Sequence, residues 1–112
     1  MPIKCEEYNK VCVMALDGDF LGEQVVELRK VFEDRIDHQH IVDFVVDFEK
    51  SGFADSEALE LLLWMRGKCE ALFGQLKLST LDDNVKKILE ITRLDQRFES
   101  HPNLTSALKT MR

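Results

Sequence analysis

The feature that most constrains the fold of this chain is the apolar run at residues 41–48, Ile-Val-Asp-Phe-Val-Val-Asp-Phe. Its β-branched and aromatic residues are nearly continuous, which is typical of a strand that is covered on both faces. A second apolar run at residues 59–73 has the length and periodicity of a helix. A covered strand followed by a helix that faces a core predicts a layered α/β domain.

The rest of the chain continues this alternation of strands and helices. We predict further strands at residues 3–6, 11–16, 75–80 and 96–99, and further helices at residues 22–36, after 83 and after 102. The predicted connections and helix starts are a turn at 7–10, a polar connector at 37–40, a capping box at 80–83 and Pro102 in the first turn of the last helix. No repeat or linker divides the sequence, so we expect a single domain over residues 1–112.

Composition excludes several classes of function. The net charge is −6 with a pI near 5.0, and the basic residues are scattered, which argues against nucleic acid or an anionic membrane as a partner. The longest apolar run, at residues 61–65, is far too short to span a membrane. Cys5, Cys12 and Cys69 form no metal-binding spacing, and their odd number suits a reducing compartment. We expect three buried thiols in a cytoplasmic protein without direct membrane insertion.

Asp55 and Ser56 lie where the strand at residues 41–48 passes into the helix that follows. Backbone N–H groups at the start of a helix have no intrahelical partner and carry a partial positive charge. Asp or Ser at such a place is usually an N-cap, and either residue could cap this helix. A phosphate on Ser56 would also be electrostatically favoured there, so Ser56 is a candidate switch residue.

The helix that begins near Ser56 has one clearly apolar face. At 100° per residue that face carries Ala58, Leu62, Met65, Cys69 and Leu72, which we predict to face the core. Leu63 and Trp64 fall outside it. Trp64 either packs sideways against a neighbouring helix, the commoner fate of an aromatic ring, or projects as an anchor for a partner, a role in which Trp is enriched.

Catalysis has little support in the sequence. There is no phosphate-binding loop, dinucleotide fingerprint or zinc-protease motif. His38 and His40 could share a metal if their connector were extended, but no further ligand has a recognisable spacing. We therefore predict a protein that is not an enzyme and has no catalytic residue, metal or cofactor.

The ordered elements resemble the STAS domain of bacterial anti-sigma-factor antagonists over nearly the whole chain. The resemblance is carried by the order of elements and by five segments: Leu16-Asp-Gly-Asp-Phe20, Phe53-Ala-Asp-Ser56, Phe73-Gly-Gln-Leu-Lys-Leu-Ser79, Val85-Lys-Lys-Ile-Leu89 and Thr92-Arg-Leu-Asp-Gln-Arg-Phe-Glu99. In that family a strand leads to an Asp-Ser pair at the start of a helix. The resemblance implies an α/β fold with a mixed sheet of four to five strands and about four helices packed mainly on one side.

The resemblance also implies a regulatory function by partner switching. Such proteins bind a kinase-type anti-sigma factor and release the sigma factor; phosphorylation of the serine after the Asp abolishes the binding, and a phosphatase restores it. By position that serine is Ser56. The implied partner surface comprises Asp17, Asp19, Phe20, Asp55, Ser56, Glu57, Glu60, Leu63 and Trp64.

Two further interpretations remain open at this stage. Glu57, Ala58 and Glu60 stand where the family has small residues and glycines, and Leu21 replaces an acidic residue. These departures favour a constitutive STAS scaffold on a transporter ATPase or a signalling assembly. The third interpretation is a small-molecule or metal-binding domain that uses the His38/His40 segment or a pocket near Asp17. The sequence predicts no oligomeric state, although edge strands can pair.

Overall fold

A computed structural model describes residues 3–111. The strands are β1 Lys4–Tyr8, β2 Val11–Asp17, β3 Asp43–Lys50, β4 Gln75–Ser79 and β5 Glu99–His101. The helices are α1 Glu23–Gln39, α2 Ser56–Ala71, α3 Asp83–Ile91 and α4 Leu104–Lys109. This is the α/β fold that the sequence predicts.

The five strands form one mixed sheet in the order β1-β2-β3-β4-β5. β1 and β2 are antiparallel and are joined by a tight turn in which Asn9 and Lys10 have φ of 50° and 68°. The other neighbouring strands are parallel, so each returns to the same end of the sheet through a crossover that contains a helix. β3, the strand predicted to be covered on both faces, lies at the centre.

The main core lies between the sheet and α1, α2 and α3. It contains large side chains with almost no exposure, including Met14, Phe32, Phe44, Leu62 and Leu78. The rings of Phe32 and Phe44 are 4.7 Å apart between centroids, which joins α1 to the central strand. Three of the four helices therefore pack on one side of the sheet, as expected.

The fourth helix, α4, covers the opposite face. Ala107 and Met111 pack there on the valines of β2 and β3 (Val11, Val13 and Val45). Beside them is a nearly buried lysine, Lys77, whose Nζ donates to Glu99 Oε2 at 3.0 Å and to Thr110 Oγ1 at 2.7 Å. His101 Nε2 lies 2.7 Å from the same Glu99 oxygen. This cluster ties β4 and β5 to the end of α4.

The Glu99 cluster predicts a dependence of stability on pH. The hydrogen bond from Lys77, followed by that from His101, lowers the pKa of Glu99 below its ordinary value. A carboxylate whose pKa is lowered on folding stabilises the protein above the unfolded pKa, about 4.3 for Glu, and this contribution is lost as the pH falls through the folded pKa. We expect Glu99→Gln to lose less stability than the wild type when the pH falls from about 5 to about 3.

Urea unfolding at a series of pH values would measure this difference. Glu90→Gln, which removes a charge from an exposed position on α3, is the matched control and should follow the wild type. Parallel pH profiles for the wild type and Glu99→Gln would contradict the prediction.

Several predicted ends of helices differ from those in the structure. The predicted connector at residues 37–40 is helical as far as Gln39, and His40 ends α1 in the left-handed conformation, with its N–H bonded to the Arg35 carbonyl. His38 instead lies one turn from Asp34, with Nδ1 3.0 Å from Asp34 Oδ1. A favourable pair four residues apart, such as Asp34 and His38, stabilises a helix. The polar residues at 37–39 are therefore helical and do not form the predicted connector.

The starts of the last two helices also differ from the prediction. Thr80 does not cap α3, since it has φ of 60° and lies outside the helix. Asp82 is the cap and accepts from Val85 N at 2.9 Å. Pro102 likewise precedes the helix, and Asn103 caps α4 by accepting from Ser106 N at 2.8 Å. In both helices a neighbouring residue with a side-chain oxygen is the N-cap instead, so residue type alone does not identify the capping residue.

Candidate functional site

The candidate site lies at the carboxyl edge of the parallel strands, where α1, α2 and α3 begin. The loop after β2 and the loop after β3 run side by side there. Gly18 N donates to Lys50 O at 2.7 Å, Phe20 N to Phe53 O at 2.8 Å, and Asp55 N to Phe20 O at 3.3 Å. The structure thus brings Asp17 and Asp19 to one edge of the sheet with Asp55, which is far from them in the sequence.

Gln24, which the sequence analysis did not single out, fixes the first of these loops. Its Oε1 accepts from Asp17 N at 2.8 Å, and its Nε2 donates to Asp19 O at 2.9 Å. A side-chain amide can satisfy a donor and an acceptor at once, which suits it to hold an irregular loop. The only signal in the sequence was a glutamine in the first turn of the helix after Asp17-Gly18-Asp19.

Asp55 is the N-cap of α2, which decides between the two capping candidates. Its Oδ1 accepts from Ala58 N at 2.9 Å, and its backbone is extended, with φ of −92°. Ser56 is therefore the first residue of the helix, and it is exposed. Its hydroxyl makes no side-chain hydrogen bond within residues 3–111. The two residues of the Asp-Ser pair thus differ: the Asp55 side chain caps the helix, and the Ser56 side chain is exposed.

The electrostatics around Ser56 are mixed. The start of α2 contributes the partial positive charge of a helix N-terminus. Asp19, Glu57 and Glu60 are exposed around the same region and carry negative charge. A phosphate on Ser56 would be attracted by the helix end and would make an already acidic surface more negative.

Phe20 lies at this edge but its side chain does not face solvent. The ring is fully buried and meets the Phe48 ring edge to face, at 6.0 Å between centroids. The sequence analysis included Phe20 in the partner surface, and this was wrong for the side chain, because burial removes it from contact. The two backbone bonds to the second loop show its actual role as an anchor.

Leu63 and Trp64 are partly buried and pack against the main core. The Trp64 ring meets Phe32 of α1 edge to face at 5.7 Å, and the Arg29 guanidinium lies 4.4 Å from the ring centroid. Trp64 thus packs sideways on a neighbouring helix. Leu72, predicted on the core face, is instead 44% exposed where α2 ends.

A groove between α1 and α2 runs beside the start of α2. Its volume is about 420 Å³, and it is lined by Val25, Val26, Arg29, Glu57, Glu60, Leu61 and Trp64. Val26 is 55% exposed. Leu21 and Phe53, from the two loops of the carboxyl edge, are further large apolar side chains that face solvent. The sequence analysis did not include Val26, Leu21 or Phe53 in the partner surface, because their exposure depends on how segments far apart in the chain pack together.

A second depression lies on the other face of the sheet, beside Asp17. Its volume is about 310 Å³, and its wall includes Lys4, Asp17, Asp47, Glu49 and Lys50. Asp47 is buried and accepts from Ser79 Oγ at 2.8 Å. By contrast, His38 and His40 belong to the end of α1 and not to an extended loop. Within residues 3–111, no three His, Cys, Asp or Glu side chains are grouped so as to hold a metal ion.

The sequence profile of the family described as "Mlab, STAS domain" matches residues 4–106. This chain belongs to the STAS domain family. None of the curated proteins is significantly similar to it in sequence. Among the helices of residues 3–111, none has the length and apolarity of a membrane span.

Solved structures share the fold of this STAS protein at low sequence identity. A putative anti-sigma factor antagonist from Thermotoga maritima superposes with a TM-score of 0.90 at 14% identity, over 98% of this chain and 94% of that one. The phosphorylated form of the Bacillus cell fate determinant SpoIIAA gives 0.79 at 20% identity, over 99% and 100%. A sulfate transporter family protein from Wolinella succinogenes gives 0.80 at 16% identity, over 91% and 84%.

Proposed function

We propose that this STAS protein is a non-enzymatic regulator in a bacterial partner-switching pathway, and that Ser56 is its phosphorylation site. The observation that carries the proposal is the division of roles at the start of α2. Asp55 caps the helix, so the adjacent Ser56 hydroxyl is exposed and uncommitted. A kinase can take such a hydroxyl without first unfolding the helix end.

The proposed partner is an anti-sigma factor with kinase activity, and its docking surface surrounds Ser56. It comprises the exposed residues of the carboxyl edge together with the α1–α2 groove. Val26, Leu21 and Phe53 supply apolar contact, while Glu57 and Glu60 favour a partner that presents basic side chains. Trp64 lines this groove, Leu63 packs against the core behind it, and the buried Phe20 ring fixes the position of the loop after β2.

A phosphate on Ser56 would break such a complex through charge and volume. It adds nearly two negative charges beside Asp55, Glu57 and Glu60, in the place where the partner must be desolvated. Like charges brought together in an interface cost several kcal/mol, so we expect phosphorylation to weaken binding about 100-fold or more. A phosphatase that removes the group would restore the complex, which gives a reversible switch.

The test is modification by a kinase-type anti-sigma factor from the same cells, followed by intact-mass spectrometry. We expect one added phosphate on the wild type and none on Ser56→Ala. Ser100→Ala, which changes an exposed serine on β5, is the matched control and should be modified like the wild type. Protein purified from its native cells under several growth conditions should contain a phosphorylated fraction that peptide mapping assigns to Ser56.

Binding gives a second readout of the same proposal. Ser56→Asp should weaken the complex with the anti-sigma factor, while Ser100→Asp adds the same charge at a distance and should not. Unmodified Ser56 in every condition, together with full binding by Ser56→Asp, would exclude the switch.

The second candidate function is a constitutive STAS subunit seated on a transporter ATPase or a signalling assembly. The structural likeness to a sulfate transporter family protein favours it, as do Glu57, Glu60 and Leu21 at positions where a switch would have other residues. In that case the partner is an ATPase, and Ser56→Ala and Ser56→Asp both bind it as the wild type does. Small-molecule binding in the 310 Å³ depression beside Asp17 is the third candidate, which thermal stabilisation by one compound of a panel would support.

A further inference from the structure

Two cysteines lie on neighbouring strands of the β1–β2 hairpin. In the antiparallel register Cys5 is opposite Met14, and Cys12 is opposite Glu7. Cys5 and Cys12 are therefore diagonal neighbours on the same side of the sheet, because side chains alternate along each strand. Both pack in the main core below α1.

The two thiols differ in access and in chemistry. Cys12 is 1% exposed, whereas Cys5 is only partly buried at the edge of the sheet. A hydrogen bond from the Cys12 thiol lowers the pKa of Cys5 to about 7; burial and the Glu27 charge oppose this, and the Arg35 charge supports it. The same hydrogen bond and burial raise the pKa of Cys12. At neutral pH, Cys5 is thus the accessible nucleophile and Cys12 the protonated neighbour.

We propose that Cys5 and Cys12 are a peroxide-responsive pair that closes into a cross-strand disulfide. The Cys5 thiolate attacks one oxygen of hydrogen peroxide and becomes a sulfenic acid, and hydroxide leaves. The Cys12 sulfur then attacks the Cys5 sulfur; the S–S bond forms, the S–O bond breaks, and the thiol proton leaves with the hydroxyl group as water. The two thiols supply the two electrons that reduce one peroxide to two waters.

The position of β1 allows this closure. Diagonal neighbours have α-carbons roughly 7–8 Å apart, slightly beyond the usual range for a disulfide, so one strand has to shift. β1 is an edge strand that pairs only with β2, and near its start Ile3 N donates to Glu27 Oε2 at a long 3.5 Å. Closure therefore requires β1 to slide a short way along β2, since the offset of the diagonal pair lies along the strands. The strained bond that results is readily reduced again.

Peptide mapping after peroxide treatment tests the disulfide directly. Trypsin cuts after Lys10, which separates the two cysteines into residues 5–10 and 11–29. After alkylation of the remaining thiols, we expect these two peptides to be joined, with a loss of two hydrogen atoms that dithiothreitol reverses. Cys69→Ala should retain the joined peptides, whereas Cys5→Ala and Cys12→Ala should each lack them. Absence of the joined peptides in the wild type, or pairing with Cys69, would overturn the proposal.

The rate of Cys5 alkylation against pH is an independent readout. In the wild type its midpoint should lie near the Cys5 pKa of about 7. Cys12→Ala removes the hydrogen-bond donor and should raise that midpoint toward about 8.5, the value of a free thiol. A midpoint that Cys12→Ala leaves unchanged would show that the two thiols do not interact and would overturn the pair. Circular dichroism of each cysteine variant serves as the control for folding.

Discussion

Phe20→Ala is expected to lower the free energy of unfolding by about 3–5 kcal/mol, the usual cost of removing a fully buried phenylalanine ring. The ring is completely buried and packs against Phe48 beneath the carboxyl edge. Its removal leaves a cavity at the point where the two loops of the site are joined. Urea or thermal unfolding followed by circular dichroism would measure the loss.

Leu21→Ala is the matched control for this prediction. Leu21 is the next residue along the same loop but is 40% exposed, so its truncation should cost well under about 1 kcal/mol. Hydrogen exchange adds a local test: the Phe20 and Asp55 amides, which cross between the loops, should lose protection in Phe20→Ala. Equal costs for the two substitutions would mean that Phe20 does not anchor the edge.

The buried Phe20 and the exposed Leu21 have different roles in the proposed switch. Phe20 fixes the loop from inside, and Gln24 holds its backbone through hydrogen bonds at 2.8 and 2.9 Å. Leu21 and Phe53 are therefore exposed to solvent on loops whose backbone is held in place. A rigid edge matters because binding that first has to order a loop loses part of its affinity to that ordering. A phosphate on Ser56 would therefore act on a surface that is already formed.

The centre of the fold was predictable because its signals are local and strong. The run at residues 41–48 is apolar at six of its eight positions, and β3 is indeed the middle strand of the sheet. Core positions of α2 such as Leu62 and Met65 follow the helical period. Element ends were less predictable. At residues 80–83 and 102–103 several residues could cap a helix, and packing of the whole chain selected Asp82 and Asn103.

Some features of the candidate site were likewise predictable from the sequence, and others were not. The position of Ser56 follows from the order of a strand, an Asp-Ser pair and a helix, which is readable from the sequence. The burial of Phe20 and the exposure of Val26 are not, because both depend on contacts between segments far apart in the chain. An aromatic residue in a turn next to two aspartates has the composition of a binding loop, and only the packing shows that its ring is part of the core.

Gly74→Ala is expected to destabilise the protein by about 2 kcal/mol or more, because it adds an atom where backbone leaves no room. Gly74 lies between α2 and β4, and its N–H donates to Cys69 O at 2.7 Å. A Cβ there would overlap the Val42 carbonyl, which is main chain and cannot rotate away. The same carbonyl accepts from Gln75 N, at the start of the β3–β4 pairing. Relief of the clash therefore requires these two central strands to separate at one end.

Gly67→Ala is the matched control and should have the opposite sign. Gly67 is exposed in the middle of α2, and a Cβ there would meet no atom within 4 Å. Alanine in a helix interior is more stable than glycine by about 0.5–1 kcal/mol, so this variant should gain stability. Chemical unfolding of both variants compares the same change of one methyl group at two glycines of one segment. Similar effects at both positions would mean that backbone entropy and not the approach of Val42 determines the outcome. A loss at Gly74 beside a gain at Gly67 would establish that glycine is needed at 74 for the close approach of β3 to the start of β4.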